Sequence, residues 1–335
     1  MRLKIAPTKI ARTTAALTFA LGALPAASFA QDHVTYQLDW LPGGDKAPIY
    51  VCVQQGFCAD EGLDISIEGG RGSTEAITKI ATGTSDIGSA GMEAIMAAVA
   101  TDDVPVKAVM SIFNKGPHAF YTLMDSGITS ISDLAGKKVA TSPFTSSNIF
   151  LPLVLSENGL SEADIELTKA DPGALGPLLM TGQTDAIIAW VTDITRYMNQ
   201  GEDAGKGVIV LPWSDAGIEL YSATLVASDT FLTERPDVAK RFVKAFKKSM
   251  EFAQANPDQA AADVAAMVPE LGVEDVKGSW LDASVLAFNS QTDEDGLGAL
   301  LPARVANTWS LVAQAQGLDE SALDPASIIA DGFQE

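Results

Sequence analysis

The chain has 335 residues, of which 47% are hydrophobic and 19% are charged, and its formal net charge is −21. At roughly 100–200 residues per domain, this length predicts about two domains, and the hydrophobic content is too high for a disordered chain. The excess of acidic residues excludes most classes of nucleic-acid-binding protein, because phosphate binding needs a basic face. Two cysteines and two histidines exclude a disulfide scaffold and any metal site rich in histidine and cysteine.

The first 30 residues have the layout of a secretory signal peptide. Four basic residues precede a compact apolar stretch at 15–24, which is too short to span a bilayer core of roughly 30 Å. Ser28 and Ala30 place small residues at the −3 and −1 positions of a cleavage site. Scarce serine makes a mitochondrial-type transit peptide a poorer fit. We therefore predict that residues 1–30 are removed on export and that the exported chain starts at Gln31.

Cys52 and Cys58 are able to pair only if the chain folds back between them. On one straight helix, residues six apart lie about 9 Å apart along the axis, which is too far for a disulfide. If Gly56 ends the helix, the two side chains can approach each other. The sequence is compatible both with one straight helix, in which the cysteines are unpaired, and with a chain that folds back at Gly56 and pairs them. A disulfide would be structural, because a thiol nucleophile needs a nearby base and histidine is nearly absent.

Beyond residue 30, strand patterns alternate with helix patterns. Strands are predicted at 34–38, 63–68, 87–89, 104–113 and 119–124. Helices are predicted at 48–55, at 73–82 with Ser73 or Thr74 as N-cap, at 91–100, after the polar loop 142–147, and over 236–268. This alternation predicts an α/β protein with largely parallel sheets.

One segment of the chain recurs. Residues 82–88, TGTSDIG, are echoed 99 residues later by residues 181–187, TGQTDAI. In both segments a helix is predicted to end at glycine and an aspartate leads into a short strand. Turns between helices and strands favour Gly and Asp in any α/β protein, so chance is an alternative. We interpret the echo as two lobes built from similar βαβ units.

No enzyme signature is present. Gly88-Ser89-Ala90-Gly91 is not a G-x-S-x-G nucleophile motif, and His33 and His118 are the only histidines. The loop at 69–72 has the spacing of neither a dinucleotide fingerprint nor a P-loop. We therefore expect no catalytic residues, no cofactor and no bound metal.

Loops rich in small hydroxyl residues follow several predicted strands and precede helices. They are Gly72-Ser73-Thr74, Ser89-Ala90-Gly91, and Ser142 with Thr145-Ser146-Ser147. In open α/β folds such loops lie at the carboxyl ends of strands, where ligands bind near free helix N–H groups. Each loop alone is more simply an ordinary N-cap, but together, from two lobes, they favour a ligand cleft.

Two tryptophans follow predicted strands in the two lobes. Trp40 comes after the first strand, and Trp190 follows the strand in the echoed segment. Each could simply cover the edge of its domain; facing each other, they would clamp a planar or cationic group. Arg71 and Lys46 are the nearest basic candidates for an anionic ligand, although a solvated loop charge is the simpler interpretation of both.

A family resemblance rests on four segments. They are Leu38-Asp39-Trp40-Leu41-Pro42, residues 55–65 (QGFCADEGLDI), residues 72–88, and residues 131–139 (ISDLAGKKV). With these motifs the chain resembles the periplasmic substrate-binding proteins of the NitT/TauT type, which include the thiamine-pyrimidine-synthase-like (NMT1/THI5-like) proteins. The match covers nearly all of the exported chain.

The resemblance implies a periplasmic-binding-protein type II fold with two mixed sheets flanked by helices and two crossover strands. Lobe 1 would comprise residues 31–118 plus 224–335 and lobe 2 residues 119–223, with crossovers near 115–122 and 219–226. Hinge closure would trap a small molecule, and an ABC permease with its ATPase would receive it. The protein would be a periplasmic monomer that contacts the membrane only through the permease and binds no nucleic acid.

The resemblance also implies the site and its ligand. By analogy, and with Arg71 added from its loop position, the ligand-binding residues are Trp40, Arg71, Ser73, Thr74, Asn114, Ser146, Ser147, Trp190 and Tyr221. The favoured ligand is pyrimidine-like or another nitrogen heterocycle or aromatic; the alternative is taurine, an alkyl sulfonate or another small organic anion. A sensor domain and an enzyme on the same fold are alternatives of another class.

The chain departs from the pyrimidine-synthesising relatives in two places. Residues 43–46 (GGDK) replace their Asn- and His-containing turn, and their cysteine-rich motif is missing. The departures argue against a suicide pyrimidine synthase. Cys58 also stands where the family usually has an aromatic residue, which favours pairing with Cys52.

Overall fold

The computed structural model describes residues 1–4, 6, 31–216 and 220–333. Most of the predicted signal peptide, residue 5 and residues 7–30, lies outside the described residues. Two five-stranded sheets, ordered β2-β1-β3-β10-β4 and β7-β6-β8-β5-β9, form the framework. Their strands are β1 Asp32–Gln37, β2 Leu63–Glu68, β3 Ile87–Gly91, β4 Val106–Ser111, β5 His118–Leu123, β6 Lys138–Thr141, β7 Glu166–Lys169, β8 Ala186–Trp190, β9 Val208–Pro212 and β10 Ala223–Ser228.

Helices connect and flank these strands. They are α1 Ala47–Gln54, α2 Phe57–Asp60, α3 Ser73–Ala81, α4 Met92–Asp102, α5 Ser147–Glu157, α6 Leu175–Met180, α7 Ile194–Asp203, α8 Asp229–Glu234, α9 Pro236–Ala255, α10 Pro257–Met267, α11 Val273–Ala287, α12 Ser290–Asp295 and α13 Pro302–Gln316. The predicted α/β alternation is confirmed. The helical stretch 236–268 is two helices, because Pro257 cannot donate a backbone hydrogen bond and begins α10. In the part of the chain that the structure describes, no helix is both long and apolar enough to cross a membrane.

The two sheets share one topology. In each sheet, the spatial order is second, first, third, inserted and fourth strand. The inserted strand, β10 or β5, is the one that directly follows a passage of the chain from the other sheet. The inserted strands, β10 and β5, are antiparallel to both of their neighbours, whereas the other pairings are parallel. The chain passes between the sheets at 112–117 and again at 213–222. The predicted crossovers therefore overlap these passages and the first residues of β5 and β10.

The repeated segment plays the same part in both sheets. Gly83 and Gly182 end their helices at φ +73° and +71°, and β3 and β8 follow as the third strand of each sheet. The Asp86 carboxylate accepts a 2.8 Å hydrogen bond from the backbone N–H of Thr35 at β1. Asp185 accepts the equivalent 2.8 Å bond from the first residue of β6. The echo is therefore architectural, as predicted.

Apolar clusters cover the faces of both sheets. The first core lies between the first sheet and α1, α9, α10 and α11, where Tyr36 stacks on Phe242 and Phe246. The second core joins one face of the second sheet to α4, α5 and α13. The third core joins the opposite face of the second sheet, at β5 and β8, to α6 and α7. These cores fix the strand ends that carry the loops described below.

The two cysteines form a disulfide. Helix α1 ends before Gly56, whose φ of +76° reverses the chain into the short helix α2. The reversal brings Cys52 and Cys58 to a Cα–Cα distance of 5.1 Å, and both side chains are buried in the first core. Of the two arrangements that the residues left open, the folded-back chain is the one observed.

Removal of this disulfide should destabilise the protein modestly. The bond closes a loop of only six residues, so we expect Cys52→Ala/Cys58→Ala to lower the free energy of unfolding by about 2 kcal/mol. Denaturant titrations with and without dithiothreitol measure this. The reductant should destabilise the wild-type protein and leave the double variant unchanged. A wild-type protein that is insensitive to reductant at full unfolding equilibrium would show that the bond contributes no stability.

Candidate functional site

A cavity lies where the loops that follow β1 and β2 meet the loops that follow β6 and β8. Its volume is about 340 Å³ with the open mouth included, of which only about 20 Å³ is free to hold water, so the space is nearly closed in this structure. Residues from both sheets line it: Asp39, Trp40, Asp45, Gly72, Ser73, Thr145, Ala189, Trp190, Thr192 and Asp193. We call this space the cleft. Its position matches the crevice at which open α/β folds bind ligands.

The two tryptophans of the cleft each reach across to the opposite sheet. Trp40 follows β1 of the first sheet but packs against the third core, on the second sheet. Trp190 ends β8 of the second sheet but packs against the first core, where its ring meets Phe113 edge-on at 6.3 Å. The indoles therefore interlock the two halves, and both border the same cavity.

Lys46 is buried next to the cleft, paired with two of the aspartates that line it. Its Nζ lies 2.6 Å from Asp39 Oδ1 and 2.9 Å from Asp45 Oδ2, and its side chain is only 6% exposed. It also lies 5.3 Å from the ring centroid of Trp190. Burial alone would lower the pKa of Lys46, but the two carboxylates raise it above its ordinary value. The interpretation of Lys46 as a solvated loop charge is therefore wrong, and its charge is neutralised within the protein.

Asp193 borders the cavity together with Asp39 and Asp45. Burial raises the pKa of Asp193 to about 6, against the opposing effect of Arg196, which lies 3.6 Å away. Burial likewise raises the pKa of Asp45, although Lys46 acts in the opposite direction. The lining of the cleft thus contains three aspartates, and it offers hydrogen-bond acceptors beside two aromatic rings.

A wider groove shares Trp40, Asp45 and Asp193 with the cleft. It runs between α7 and the start of α11 and encloses about 1,140 Å³, open solvent included. Arg196 and Glu270 lie along it. The groove gives a ligand longer than one ring room to extend beyond the two tryptophans.

The hydroxyl loop at the start of α3 holds the two halves together. Ser73 lines the cleft, and its Oγ accepts a 3.0 Å hydrogen bond from the backbone N–H of Gly91. The prediction that Ser73 or Thr74 caps α3 is wrong, because Gly72 is the N-cap and no side chain caps the helix. Thr74 is exposed, and its backbone N–H donates to the carbonyl of Phe144 at 3.1 Å.

The second hydroxyl loop lies behind Trp190. Thr145 lines the cleft, whereas Ser146 and Ser147 are buried beside it. Ser147 Oγ lies 2.9 Å from Nδ1 of His118, and the His118 ring meets Trp190 edge-on at 6.0 Å. Both serines thus sit next to the cleft wall without forming it.

Arg71 lies outside the cleft. Its guanidinium pairs with Glu75 at 2.9 Å, is about half exposed, and lies over the ring of Phe144. It borders an outer groove with Ser142. The structure therefore does not bring this cation to the ligand position predicted for it.

Asn114 and Tyr221 are also placed elsewhere. They lie on the two passages between the sheets and border a separate cavity next to α12. The Asn114 side chain donates to Thr292 Oγ1 at 2.8 Å, and the Tyr221 ring lies under the guanidinium of Arg304. The resemblance assigned them to the cleft, but the C-terminal helices engage them as supports of the passages.

Sequence reasoning missed several cleft residues. Asp45, Thr192 and Asp193 border the cavity but were not assigned to it, and Thr145 was recognised only as part of its hydroxyl loop. The signal for Asp193 was its place directly beyond β8, three residues after Trp190. Within residues 1–4, 6, 31–216 and 220–333, no cluster of His, Cys, Asp and Glu is arranged to hold a metal ion.

Comparison with protein families identifies the group. The sequence profile of the NMT1/THI5-like proteins matches residues 44–260 of this chain. The chain belongs to the NMT1/THI5-like family. The match includes the turn that carries Lys46, the hydroxyl loops and Trp190, so the family's characteristic segment contains most of the cleft.

Proteins of similar sequence include binding proteins and biosynthetic proteins. A putative thiamine biosynthesis protein of Haemophilus influenzae is 26% identical over 300 residues, covering 89% of this chain and 93% of that one. A riboflavin-binding protein of Chloroflexus aurantiacus is 24% identical, covering 85% and 82%. A formylaminopyrimidine-binding protein of Halalkalibacterium halodurans is 25% identical, covering 69% of each chain. A 4-amino-5-hydroxymethyl-2-methylpyrimidine phosphate synthase of Saccharomyces cerevisiae is 25% identical, covering 72% of each.

A solved structure supports the fold. The alkanesulfonate-binding protein of Xanthomonas axonopodis pv. citri, bound to MOPS, superposes with a TM-score of 0.68 at 16% identity, covering 91% of this chain and 99% of that one. At this identity the similarity concerns the fold alone. The predicted periplasmic-binding-protein fold, with two mixed sheets flanked by helices, is confirmed.

The buried Asp193 should make stability depend on pH. Because its pKa is about 6 when folded and near 3.8 when unfolded, the folded protein retains a proton that the unfolded chain releases between pH 4 and 6. The stability from this group is full below pH 4 and is lost as the pH rises to 6. Relative to Asp193→Asn, the wild-type protein should therefore lose roughly 2–2.5 kcal/mol between pH 4 and pH 7.

Urea titrations of both proteins at the two pH values measure this difference. Titrating groups away from Asp193 are shared, so their contributions cancel in the comparison; the remaining difference belongs to Asp193 together with its neighbours Arg196 and Asp45. A gap between the two proteins that stays constant with pH would show that Asp193 ionises freely in the folded state.

Proposed function

We propose that this protein is an extracytoplasmic solute-binding protein that captures a pyrimidine-like or other planar nitrogen heterocycle and delivers it to an ABC permease and its ATPase. The observation that carries the proposal is the pair of indoles, Trp40 and Trp190, which come from opposite sheets and border one cavity. Aromatic rings on both sides of a cavity suit a flat ligand. The neighbouring carboxylates of Asp45 and Asp193 suit one that carries N–H groups.

The electrostatics of the cleft disfavour the sulfonate alternative. An anionic ligand needs an uncompensated cation or free N–H groups. Lys46, the buried cation of the cleft, is already paired with two aspartates, and Arg71 lies outside. A sulfonate would also have to approach Asp193. The named ligands of two relatives, riboflavin and formylaminopyrimidine, are flat nitrogen heterocycles, which supports the favoured class.

An enzymatic role has less support. One relative is a pyrimidine phosphate synthase, so the family includes enzymes. In this chain the two cysteines are bonded to each other, and Ser147 with His118 is enclosed behind the wall of the cleft. Neither arrangement presents a nucleophile to a bound ligand, so binding without turnover is the function that we propose. A sensor that presents its closed form to a receptor would use the same cleft, and the partner it engages would distinguish it.

The location and assembly follow from the same proposal. Residues 1–30 act as a signal peptide, and the exported chain from Gln31 works as a monomer in the periplasm. Its contact with the membrane is through the permease, and the charge of −21 argues against nucleic-acid partners.

Ligand capture would involve the relative motion of two lobes, residues 31–118 plus 224–335 and residues 119–223. Contacts on two sides of the cleft support this division. On one side Ser142 Oγ donates to the carbonyl of Arg71 at 2.9 Å. On the other, Ser279 Oγ donates to the carbonyl of Thr192 at 2.9 Å. These two hydrogen bonds would form when the lobes close around a ligand, and they would stabilise the closed state.

A thermal-shift screen identifies the class of ligand. Residues 31–335 are screened against 4-amino-2-methylpyrimidine, riboflavin, taurine and an alkanesulfonate. A ligand at 100 times its Kd adds about 2.7 kcal/mol to the free energy of unfolding.

Loss of one indole should weaken binding of the heterocycle that the screen finds. Stacking on a heterocycle is worth roughly 1–3 kcal/mol, so Trp190→Ala should raise the Kd of this heterocyclic hit about tenfold or more.

Trp190→Phe is the matched control, because it retains an aromatic face and should change the Kd about threefold or less. Isothermal titration calorimetry on the three proteins gives the comparison. Equal affinity in the wild-type protein and Trp190→Ala would refute the clamp, and a hit by the sulfonate alone would refute the ligand class.

Closure should be sensitive to the side chain at position 72. A Cβ on Gly72 would overlap the backbone of Phe144 and Thr145 from the opposite half, and φ at Gly72 is +154°. We expect Gly72→Val to keep the halves apart, so small-angle X-ray scattering should show no compaction on adding the heterocyclic hit. Gly83→Val, at an exposed glycine whose φ is also positive and whose Cβ would meet no atom, controls for backbone strain and should still compact. Compaction of both variants would refute the role of this contact.

A further inference from the structure

We propose that a buried polar cluster behind Trp190, made of Glu93, His118, Ser146 and the indole N–H of Trp190, is a subsite for a ligand edge that carries an N–H donor next to an acceptor. An aminated heterocycle such as an aminopyrimidine has such an edge. The inference rests on the proposed function and names the chemical group by which the ligand is selected.

The cluster is built from elements of both sheets. Glu93 lies in the first turn of α4, after β3 of the first sheet, and its side chain is fully buried. Its Oε1 lies 3.3 Å from Nε2 of His118, which begins β5 of the second sheet. His118 Nδ1 is held by Ser147 Oγ at 2.9 Å, so the ring orientation is set from the α5 side.

Ser146 completes the cluster from the start of α5. A Cβ on Gly91 would meet both Glu93 Oε1 and Ser146 Oγ, so the two oxygens lie beside the same glycine. Gly91 is the last residue of β3, and its lack of a side chain leaves room between a carboxylate of one half and a hydroxyl of the other.

Three members of the cluster have a buried polar atom without a hydrogen-bond partner: Glu93 Oε2, Ser146 Oγ and Trp190 Nε1. His118 Nε2 makes no hydrogen bond of good geometry and has only the Glu93 carboxylate beside it, at 3.3 Å. The Glu93, His118 and Ser146 side chains are 0%, 2% and 1% exposed. Buried polar groups are normally paired, and leaving one unpaired is costly. Several such atoms in one place indicate a missing polar partner.

The cluster adjoins the cleft. Trp190 belongs to both, because its ring lines the cleft and meets the His118 ring at 6.0 Å. Ser73, another cleft residue, accepts the backbone N–H of Gly91. When the halves separate, Glu93 would move with the first sheet and Ser146 with the second. A ligand held between Trp40 and Trp190 would then place its polar edge between the Glu93 and Ser146 side chains.

The donors and acceptors of the cluster define the group that it would recognise. Glu93 accepts hydrogen bonds, whereas Trp190 donates and Ser146 can donate. Their complement is a group with an N–H beside a lone pair, such as an exocyclic amine next to a ring nitrogen. A sulfonate has only acceptors and would face the Glu93 carboxylate, so the subsite would reject it.

Paired probes test the subsite. The first is 4-amino-2-methylpyrimidine and the second is 2-methylpyrimidine, which lacks the amine. Kd values for both, from calorimetry or quenching of tryptophan fluorescence, are measured on the wild-type protein, Glu93→Gln, Ser146→Ala and the control Glu157→Gln, at the exposed end of α5. We expect the wild-type protein and the control to prefer the amine at least tenfold. Glu93→Gln removes the carboxylate that accepts from the amine, so it should reduce this preference to about threefold or less while the Kd of 2-methylpyrimidine stays within about twofold. Ser146→Ala removes a donor to the ring nitrogen that both probes carry, so it should raise the Kd of both probes about threefold or more and leave the preference unchanged.

The other outcomes overturn the inference in distinguishable ways. If the wild-type protein binds the heterocycles, Glu93→Gln retains its preference and Ser146→Ala changes neither Kd, the cluster is a structural core filled by water, and the proposed function stands. If the wild-type protein binds neither probe and no other heterocycle, the proposed function and the subsite both fail. Thermal unfolding monitors folding, and if Glu93→Gln does not fold, Ser146→Ala alone decides between these outcomes.

Discussion

The buried ion triad of Lys46, Asp39 and Asp45 determines the arrangement of the cleft. Asp39 leaves the end of β1, is held by the hydroxyl of Ser89 on β3 at 2.7 Å, and pairs with Lys46 at 2.6 Å. Burying one lysine with two carboxylates is favourable only when the geometry is good, and removing one partner leaves an uncompensated charge. The triad therefore fixes the turn that carries Trp40 and places the ammonium against Trp190, so both indoles depend on it.

The shared topology of the two sheets explains why loops from distant parts of the chain meet. In each sheet the third strand follows a glycine-terminated helix, and an aspartate of the turn bonds the first strand. Because β3 ends at Gly91 and β8 ends at Trp190, these two strand ends are equivalent positions of one repeated unit. Trp190 lines the cleft, and Gly91 lies one hydrogen bond away from it, through the Oγ of Ser73.

Local patterns predicted the strands, the echo and the two tryptophans, because these features depend on periodicity and on position after a strand. Burial of Lys46 was not predictable in this way, since its partners Asp39 and Asp45 are recognised as a triad only when the turn is folded. Thr74 illustrates the same limit. A hydroxyl residue at the start of a helix is normally predicted to be its N-cap, but here the backbone N–H of Thr74 bonds to the carbonyl of Phe144 in another loop. Asn114 and Tyr221 were misplaced because a family resemblance transfers positions along the chain, not the packing of the C-terminal helices that engages them.

The acidic character of the chain has a different meaning at the surface and in the cleft. Surface charge is screened within about 8–10 Å at ordinary salt, so the net charge of −21 does not select a ligand. Inside the cleft screening is weak, and there the balance is set by a neutralised lysine, Asp193 beside Arg196, and Glu93 beside His118. A site whose cations are all engaged by its own carboxylates retains acceptors but no spare positive charge. That balance, rather than the fold it shares with an alkanesulfonate-binding protein, determines which ligand the cleft can hold.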